Sequence, residues 1–462
     1  MNRQLEARST AVRRGPSDVD RLKHPESVGQ AAAVLIGTGL LFWAGAAPGA
    51  DGFIAGADMS HLAFFEDRGV VYREDGRVRD ALEILQQRGV KVARLRLFTS
   101  SAPQAQADPY NYTNNLDYTL PLAVRVKRAG LQFLLDFHYS DTWADPGKQA
   151  KPAAWASLTF AQLEAQMYQY NREVIAAFKA GGAMPDYVQI GNEITSGMLW
   201  PDGRVGGAYD VPQQWSQLGR LINAAARGIR DAASPDPPPR IVIHIDRGGD
   251  WSGTLWFFDG LLQQQVEFDL IGQSYYPWWH GSLEALANCL TNAATRYAKP
   301  VMVVETAFPW TTNGAPIVGI SPGTNGQIHF LIELARILNR VPNGQGRGLF
   351  WWGTEYQALP GVALAGFDTR SFFDRAGNVL PVAEALGQTA VPVKLQASFT
   401  DEGLLLQWPL SAAGMTLTTS AELGPSPTWL PVTRATWSTG LVFRAVLPAS
   451  PGYGRFFRLQ SD

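Results

Sequence analysis

Cysteine is nearly absent: Cys289 stands alone among 462 residues. No intrachain disulfide can form, so the fold must rest on core burial. Cys289 falls among apolar residues of a predicted helix, which reads as a buried structural thiol rather than a nucleophile. Charge is scarce as well. Charged residues make up 17% of the chain and the formal net charge is -2, which argues against a nucleic-acid partner and points to a neutral or weakly acidic one. No Gly-x-Gly-x-x-Gly turn follows the first predicted strand, so the usual dinucleotide signal is missing. The histidines form no HExxH or similar cluster, and neither a metal nor another cofactor is expected.

What is abundant is tryptophan. Fifteen Trp exceed the needs of a core, and indole faces are platforms for sugar rings and other planar or apolar ligand faces. The N-terminus carries Arg3, Arg8, Arg13, Arg14, Arg21 and Lys23, then an apolar run from Ala31 to Trp43, then Ala44-Gly45-Ala46. That order matches an export signal cleaved between Ala46 and Ala50, and the run is short for a membrane-spanning helix. The expectation is a secreted or periplasmic protein, membrane-attached only if the segment stays as an uncleaved anchor.

From Phe53 to Leu386 short apolar runs alternate with longer amphipathic stretches, the pattern of repeated βα units. Eight strands are predicted: Phe53–Ser60, Val90–Phe98, Leu131–Ser140, Asp186–Ile194, Arg240–Asp246, Phe268–Pro277, Pro300–Phe308 and Gly348–Tyr356. Helical spacing covers Val78–Arg88, Ala161–Ala180 and Leu283–Tyr297 between them. Eight units fit an α/β fold of the (β/α)8 TIM-barrel type, which takes about 250 residues or more. After Val391-Pro392-Val393 the character changes: Leu404–Trp408, Met415–Thr419, Leu441–Leu447 and Arg455–Leu459 alternate like short strands between Gly, Pro and Ser. The expected organisation is an export segment over 1–50, a catalytic barrel over 51–388 and a small β-sandwich over 389–462, the last read as a spacer or a weak carbohydrate binder.

In such a barrel the active site lies at the C-terminal ends of the strands. Applied here, that filter collects Asp58 and His61, Arg94 and Arg96, and Asp136, His138 and Asp141 from the first three strands. Asn192, Glu193, His244 and Asp246 follow from the fourth and fifth. Tyr275, Tyr276, Trp278, Trp279 and His280 come from the sixth, Glu305 and Trp310 from the seventh, Trp352 and Glu355 from the eighth. Carboxylates rimmed by aromatic rings fit the cleavage of a sugar chain.

Glycosidic cleavage needs one carboxylic acid to protonate the leaving oxygen and a second carboxylate across the anomeric carbon. Glu193 and Glu305 are the candidate pair, because each ends an apolar strand where an ionised side chain would be costly unless the site used it. Asn192-Glu193 also reads as an ordinary helix cap. Glu305 also reads as one half of a salt bridge to Arg94 or Arg96, which would keep it ionised.

These residues carry a resemblance. Gly56-Ala57-Asp58-Met59-Ser60, the long stretch Asp136-Phe137-His138-Tyr139-Ser140-Asp141-Thr142-Trp143-Ala144-Asp145-Pro146-Gly147-Lys148-Gln149, Gln189-Ile190-Gly191-Asn192-Glu193, Ser274-Tyr275-Tyr276-Pro277-Trp278-Trp279-His280-Gly281 and Val304-Glu305-Thr306 occur in this order. Over Phe53 to Leu386 the chain resembles the family 53 glycoside hydrolases, the endo-β-1,4-galactanases. The resemblance implies a retaining mechanism, with Glu305 as nucleophile and Glu193 as acid/base, acting on β-1,4-galactan as a monomer. It implies that Asn192 meets the 2-hydroxyl, that Arg96 keeps Glu305 low in pKa, and that Trp352 forms a stacking floor with Trp143, Trp278 and Trp279 further along. Asp58, Arg96, Asp136, His138, Asp141, His244, Asp246 and Tyr275 complete the expected substrate-binding set. Two departures stand out. Trp310–Gly326 lacks an Asp-x-His-x-Asn-like oxygen cluster, so no tight loop calcium is expected; and Gly353 follows Trp352, with Glu355 the nearest acid, where relatives often carry Glu directly after the Trp. The rival readings are a β-1,4-glucanase or mannanase of the same clan and a non-catalytic surface glycan-binding protein.

Overall fold

The computed structural model describes residues 32–35, 42–43, 52–423, 426–432, 437–438, 441–448 and 456–461. Eight parallel strands close into a barrel: β1 (Ile54–Asp58), β2 (Val92–Leu97), β3 (Gln132–Phe137), β4 (Tyr187–Ile190), β5 (Arg240–Ile245), β6 (Leu270–Ser274), β7 (Val301–Thr306) and β8 (Gly346–Trp351). They pair in chain order, and β8 returns to β1. The predicted strands are all present but shorter at their C-terminal ends. Apolar residues continue there while the backbone turns out of the sheet, at Tyr139 (φ 47), Gly191 (φ 85) and Gly353 (φ 66).

The helices form the outer ring for reasons readable locally. In Phe160–Ala180 the buried Leu163, Met167, Val174, Ile175 and Phe178 recur at helical spacing, and Thr159 caps the first turn. Leu283–Tyr297 starts where Ser282 accepts the Ala285 N–H and buries Cys289, as expected for a structural thiol. Val78–Arg88 is helical only over Ala81–Gln87, because Arg77–Arg79 pairs with Tyr72–Glu74 in a small hairpin.

Inside the barrel, Ile54, Val92, Leu134, Tyr187, Val242, Leu270, Met302, Val304 and Phe350 pack into an apolar plug. Gly56 leaves room for the Phe350 ring, which a Cβ would meet at 2.2 Å. One pleat further toward the mouth, the period of two turns Asp58, Arg94, Asp136, Gln189, His244 and Ser274 inward. The polar layer therefore sits directly on the apolar one.

β7 breaks this period. Gln273 pairs with Val303 but Ser274 pairs with Glu305, so one extra residue is accommodated at Val304. The bulge turns Glu305 inward, where strict alternation after Met302 and Val304 would have placed Thr306.

Beyond the barrel, two antiparallel sheets pack over Leu395, Leu404, Leu406, Trp408, Leu417, Ala445, Phe457 and Leu459. Ala32–Leu35 runs antiparallel to Phe456–Ser461 in one of them; apart from 32–35 and 42–43, the expected export segment lies outside the described residues. Leu410 and Ala413 join the barrel core, and the Asn339 amide donates to the carbonyls of Ser411 and Ala413 (3.0 Å each). Asn339 ends the helix Thr324–Asn339 that returns to the start of β8. The β-module is thus docked at the end of the barrel opposite the mouth.

Candidate active site

Arg94 is the hub of the mouth. Its guanidinium, fully buried, donates to Asp58 (2.7 Å), Asp136 (2.8 Å), Asn192 Oδ1 (3.0 Å) and Gln189 Oε1 (3.2 Å), and pairs with Glu305 Oε1 at 2.8 Å. Three carboxylates around one cation leave the floor of the site negative. Burial alone would raise Asp136, but Arg94 and His138 outweigh it and hold its carboxyl below the ordinary range. Glu305 is 7% exposed and its second oxygen accepts from the Tyr276 hydroxyl (3.2 Å). Burial pushes its pKa up to about 7 against the pull of Arg94.

Glu193 sits across from it on a strained backbone, φ 49 and ψ 49, a left-handed conformation costing a non-glycine residue about 1–3 kcal/mol. Its Oε1 accepts from Ser274 Oγ (2.7 Å), whose oxygen meets His244 Nε2 (2.8 Å). His244 Nδ1 faces two donors, Gln189 Nε2 (2.8 Å) and the Glu193 N–H (3.3 Å). It is therefore the acceptor nitrogen, and Nε2 carries the proton. Burial, then Arg94, hold the imidazole well below its usual pKa, so a neutral chain of donors runs from Gln189 through His244 and Ser274 to Glu193. Burial, then the charge of Glu305, raise Glu193 well above the carboxylate range. The two carboxyl groups are thus separated in proton affinity: Glu193 keeps its proton where Glu305 can release one.

His138 repeats the logic on the other side. Its Nδ1 accepts the Ala144 N–H (2.9 Å) and its Nε2 meets Asp136 (3.1 Å), which fixes the Nε2–H tautomer and orients Asp136 toward Arg94. Asn192 Nδ2 donates to Ala144 O (2.9 Å), leaving its second amide hydrogen for a ligand.

The aromatic wall follows. Trp352 lies 6.1 Å from Trp143 and 4.4 Å from Phe367 between ring centroids; Trp278 lies 5.3 Å from Tyr276, and Trp279 is 65% exposed. Among the described residues no group of three or more His, Cys, Asp or Glu is arranged to hold a metal ion.

A buried acid pair of unequal proton affinity, a cationic hub and a row of indoles is glycosidase geometry, and residues 54–386 match the family model described as Glycosyl hydrolase family 53. The chain belongs to glycosyl hydrolase family 53. It is similar to an uncharacterized protein in the bgaB 5′ region of Niallia circulans, 42% identical over 65% of this chain and 83% of that one. It is also similar to the arabinogalactan endo-β-1,4-galactanase of Thermothelomyces thermophilus, 36% identical over 64% of this chain and 88% of the relative. Among solved structures, the family 53 catalytic domain of Ignisphaera aggregans superposes with a TM-score of 0.65 at 32% identity, over 73% of this chain and 97% of that domain.

Within this family 53 site several expectations need correction. Arg94 is the residue that touches Glu305; Arg96 does not, though its charge also pulls the Glu305 pKa down, less than that of Arg94. Arg96 is one pleat higher, bonded to His61 Nδ1 (3.0 Å) and Asn114 (3.3 Å), with its guanidinium 4.1 Å over Trp143 and 5.5 Å over Trp352. Glu305 is accordingly held below Glu193 rather than below the ordinary carboxylate range. Asp58, Asp136 and His244 are fully buried, the two carboxylates on Arg94 and the imidazole on Ser274. Tyr275 turns away: its hydroxyl donates to Gly281 O (2.9 Å) and its ring stacks on Phe330. Tyr276 takes the place beside Glu305, and period two counted onward from Ser274 would have selected it. Asp141 ties loops together, accepting from Thr99 (2.8 Å), Gln104 (3.2 Å) and the Ala153 N–H (2.9 Å). Asp246 accepts from Thr195 and acts on Glu193 by its charge. Ser274 and Gln189 were missed as site residues; their signal was the inward parity of β6 and β4.

Proposed function

We propose that this chain is a retaining endo-β-1,4-galactanase acting on galactan and arabinogalactan through a galactosyl-enzyme intermediate. The observation that carries the reading is the division of labour between Glu305, gripped by Arg94 and Tyr276, and Glu193, kept protonated by burial and the Glu305 charge and positioned by Ser274. Glu305 Oε attacks the anomeric carbon while Glu193 gives its proton to the leaving oxygen. Glu193, now a carboxylate, takes a proton from water, and that oxygen displaces Glu305 and regenerates both groups. The negative floor around Arg94 favours the oxocarbenium-like charge on the sugar in both steps. Asn192 meets the 2-hydroxyl with its free amide hydrogen, and Trp352, Trp143, Trp278 and Trp279 stack successive sugars.

The name of the Thermothelomyces thermophilus relative supports galactan over glucan or mannan. The test is reducing-sugar release from linear β-1,4-galactan by wild type and Glu305→Ala. Release abolished in the variant is expected; turnover of glucan or mannan without galactan would overturn the substrate. Export belongs to the same reading, supported by the basic-then-apolar N-terminal order. N-terminal sequencing of protein recovered outside the cytoplasm should find a start between Ala46 and Ala50.

A further inference from the structure

Past Trp278 the cleft acquires positive charge that the proposed reaction does not use. The Arg370 guanidinium lies 4.2 Å over the Trp278 ring and 4.6 Å over Phe367. Trp278 and Phe367 are the neighbours of Tyr276 and Trp352, so Arg370 stands one ring beyond the groups that hold Glu305 and the predicted sugar floor. Among the described residues it forms no ion pair. Its one hydrogen bond runs from Nη1 to Ala365 O (3.2 Å), and its Nε is buried without a partner. Burial lowers its pKa, and the nearby Tyr276 and Asp368, which pull the other way, do not offset it.

A depression of about 590 Å³ is lined by Trp310, Thr311, Thr312, Asn313, Asp374 and Arg375. The Trp310 N–H donates to Thr369 O (2.8 Å), which joins this depression to Arg370. Trp310 keeps its indole N–H buried and unpartnered. Asp374, the one acid in the lining, is engaged by the N–H groups of Ala376 and Asn378 (2.9 Å each) and by the Asn378 amide (3.0 Å). Arg375 is exposed and has no ion pair among the described residues. Neither guanidinium is held in an ion pair among the described residues, and a neutral galactan chain offers them no partner. An anionic sugar does, since guanidinium and carboxylate match in charge and fork geometry.

We propose that the cleft of this enzyme ends in a subsite for a carboxylate-bearing sugar, a uronic acid unit within or attached to the galactan, with Arg370 and Arg375 as its cationic wall and Trp310 as its platform. The inference rests on the galactanase reading and sharpens its substrate class to acidic galactans. It also gives a function to the segment after β7, for which no calcium was expected.

The test compares kcat/KM for short β-1,4-galactan oligomers carrying one galacturonosyl unit at the non-reducing end, at the reducing end, or at neither. Wild type should favour one acidic oligomer over the neutral one by about three- to tenfold at low salt, a preference that shrinks as NaCl is raised. In Arg370→Met and in Arg375→Gln the acidic-to-neutral ratio should fall toward one, whatever happens to the shared rate, and Arg370→Lys should restore part of it. A wild-type ratio of one or below for both acidic oligomers, or a ratio untouched by both charge-removing variants, would overturn the subsite while leaving the galactanase reading intact. Absence of turnover on the neutral oligomer would overturn that reading first, and the subsite with it.

Discussion

Replacing Arg94 by Lys tests the electrostatic core of the site. The guanidinium reaches Asp58, Asp136, Asn192, Gln189 and Glu305 from one fixed fork, whereas an ammonium on a flexible stem reaches fewer of them at once. The contact to Glu305 at 2.8 Å is a charge-assisted hydrogen bond, and such a bond contributes about 1.5–3 kcal/mol. At 1.36 kcal/mol per pKa unit, its loss raises the pKa of Glu305 by about one to two. Glu305 must be ionised to attack, so the acidic limb of the kcat/KM profile on galactan should move up by about one to two pH units from its starting point near 7. The alkaline limb, which reports the loss of the Glu193 proton, should move less. Arg96→Lys is the control: Arg96 sits over Trp143 and Trp352 and acts on Glu305 only through its charge, which Lys retains, so it should raise KM with the acidic limb nearly unmoved. Tryptophan fluorescence melts of each variant would exclude unfolding as the cause. An acidic limb that stays in place in Arg94→Lys, or moves equally in Arg96→Lys, would refute the assignment of Arg94 as the group that sets Glu305.

Three further outcomes follow from the same geometry. Ser274→Ala removes a hydrogen bond that favours ionised Glu193, so the alkaline limb should shift upward while kcat falls; an alkaline limb that moves down would contradict the donor chain. Glu193 has its folded pKa above the unfolded value of about 4.5, so the native state retains a proton that the unfolded chain releases, and wild-type stability falls as pH rises from there through the folded pKa. Glu193→Gln lacks that loss. Its melting temperature relative to wild type should therefore rise as the pH is raised above about 5, and a difference that stays constant with pH would count against the shift. Leu410→Asp places a carboxylate at the fully buried contact between module and barrel, which should destabilise the protein by about 3 kcal/mol or more in a denaturant titration. Because that contact lies opposite the mouth, kcat/KM on soluble galactan should stay within about twofold, and a larger drop would place the module nearer the chemistry than the fold does.

The barrel was legible because each βα unit states itself locally: an apolar run, a turn, an amphipathic stretch. Strand ends were less so. The apolar pattern runs on through Ile190 and Phe137, but the backbone leaves the sheet at Gly191 and Tyr139, and hydrophobicity alone does not encode a left-handed turn. The same limit explains the site. Glu193 and Glu305 could be found as acids ending apolar strands, yet Glu305 faces inward only because of the bulge at Val304, which no alternation rule contains. Arg94 and Arg96 share one parity, so the pattern offered both as partners of Glu305. The register decided between them: Asp58 pairs with Arg94 across the β1–β2 ladder, which sets Arg94 in the layer of the carboxylates and leaves Arg96 one pleat above, among the indoles. Tyr275 and Tyr276 show the opposite case, since there the parity counted from Ser274 carried the answer. Chemistry was therefore readable from residue types at strand ends, and the pairing of those residues came from register, which depends on how eight strands close and not on any one of them.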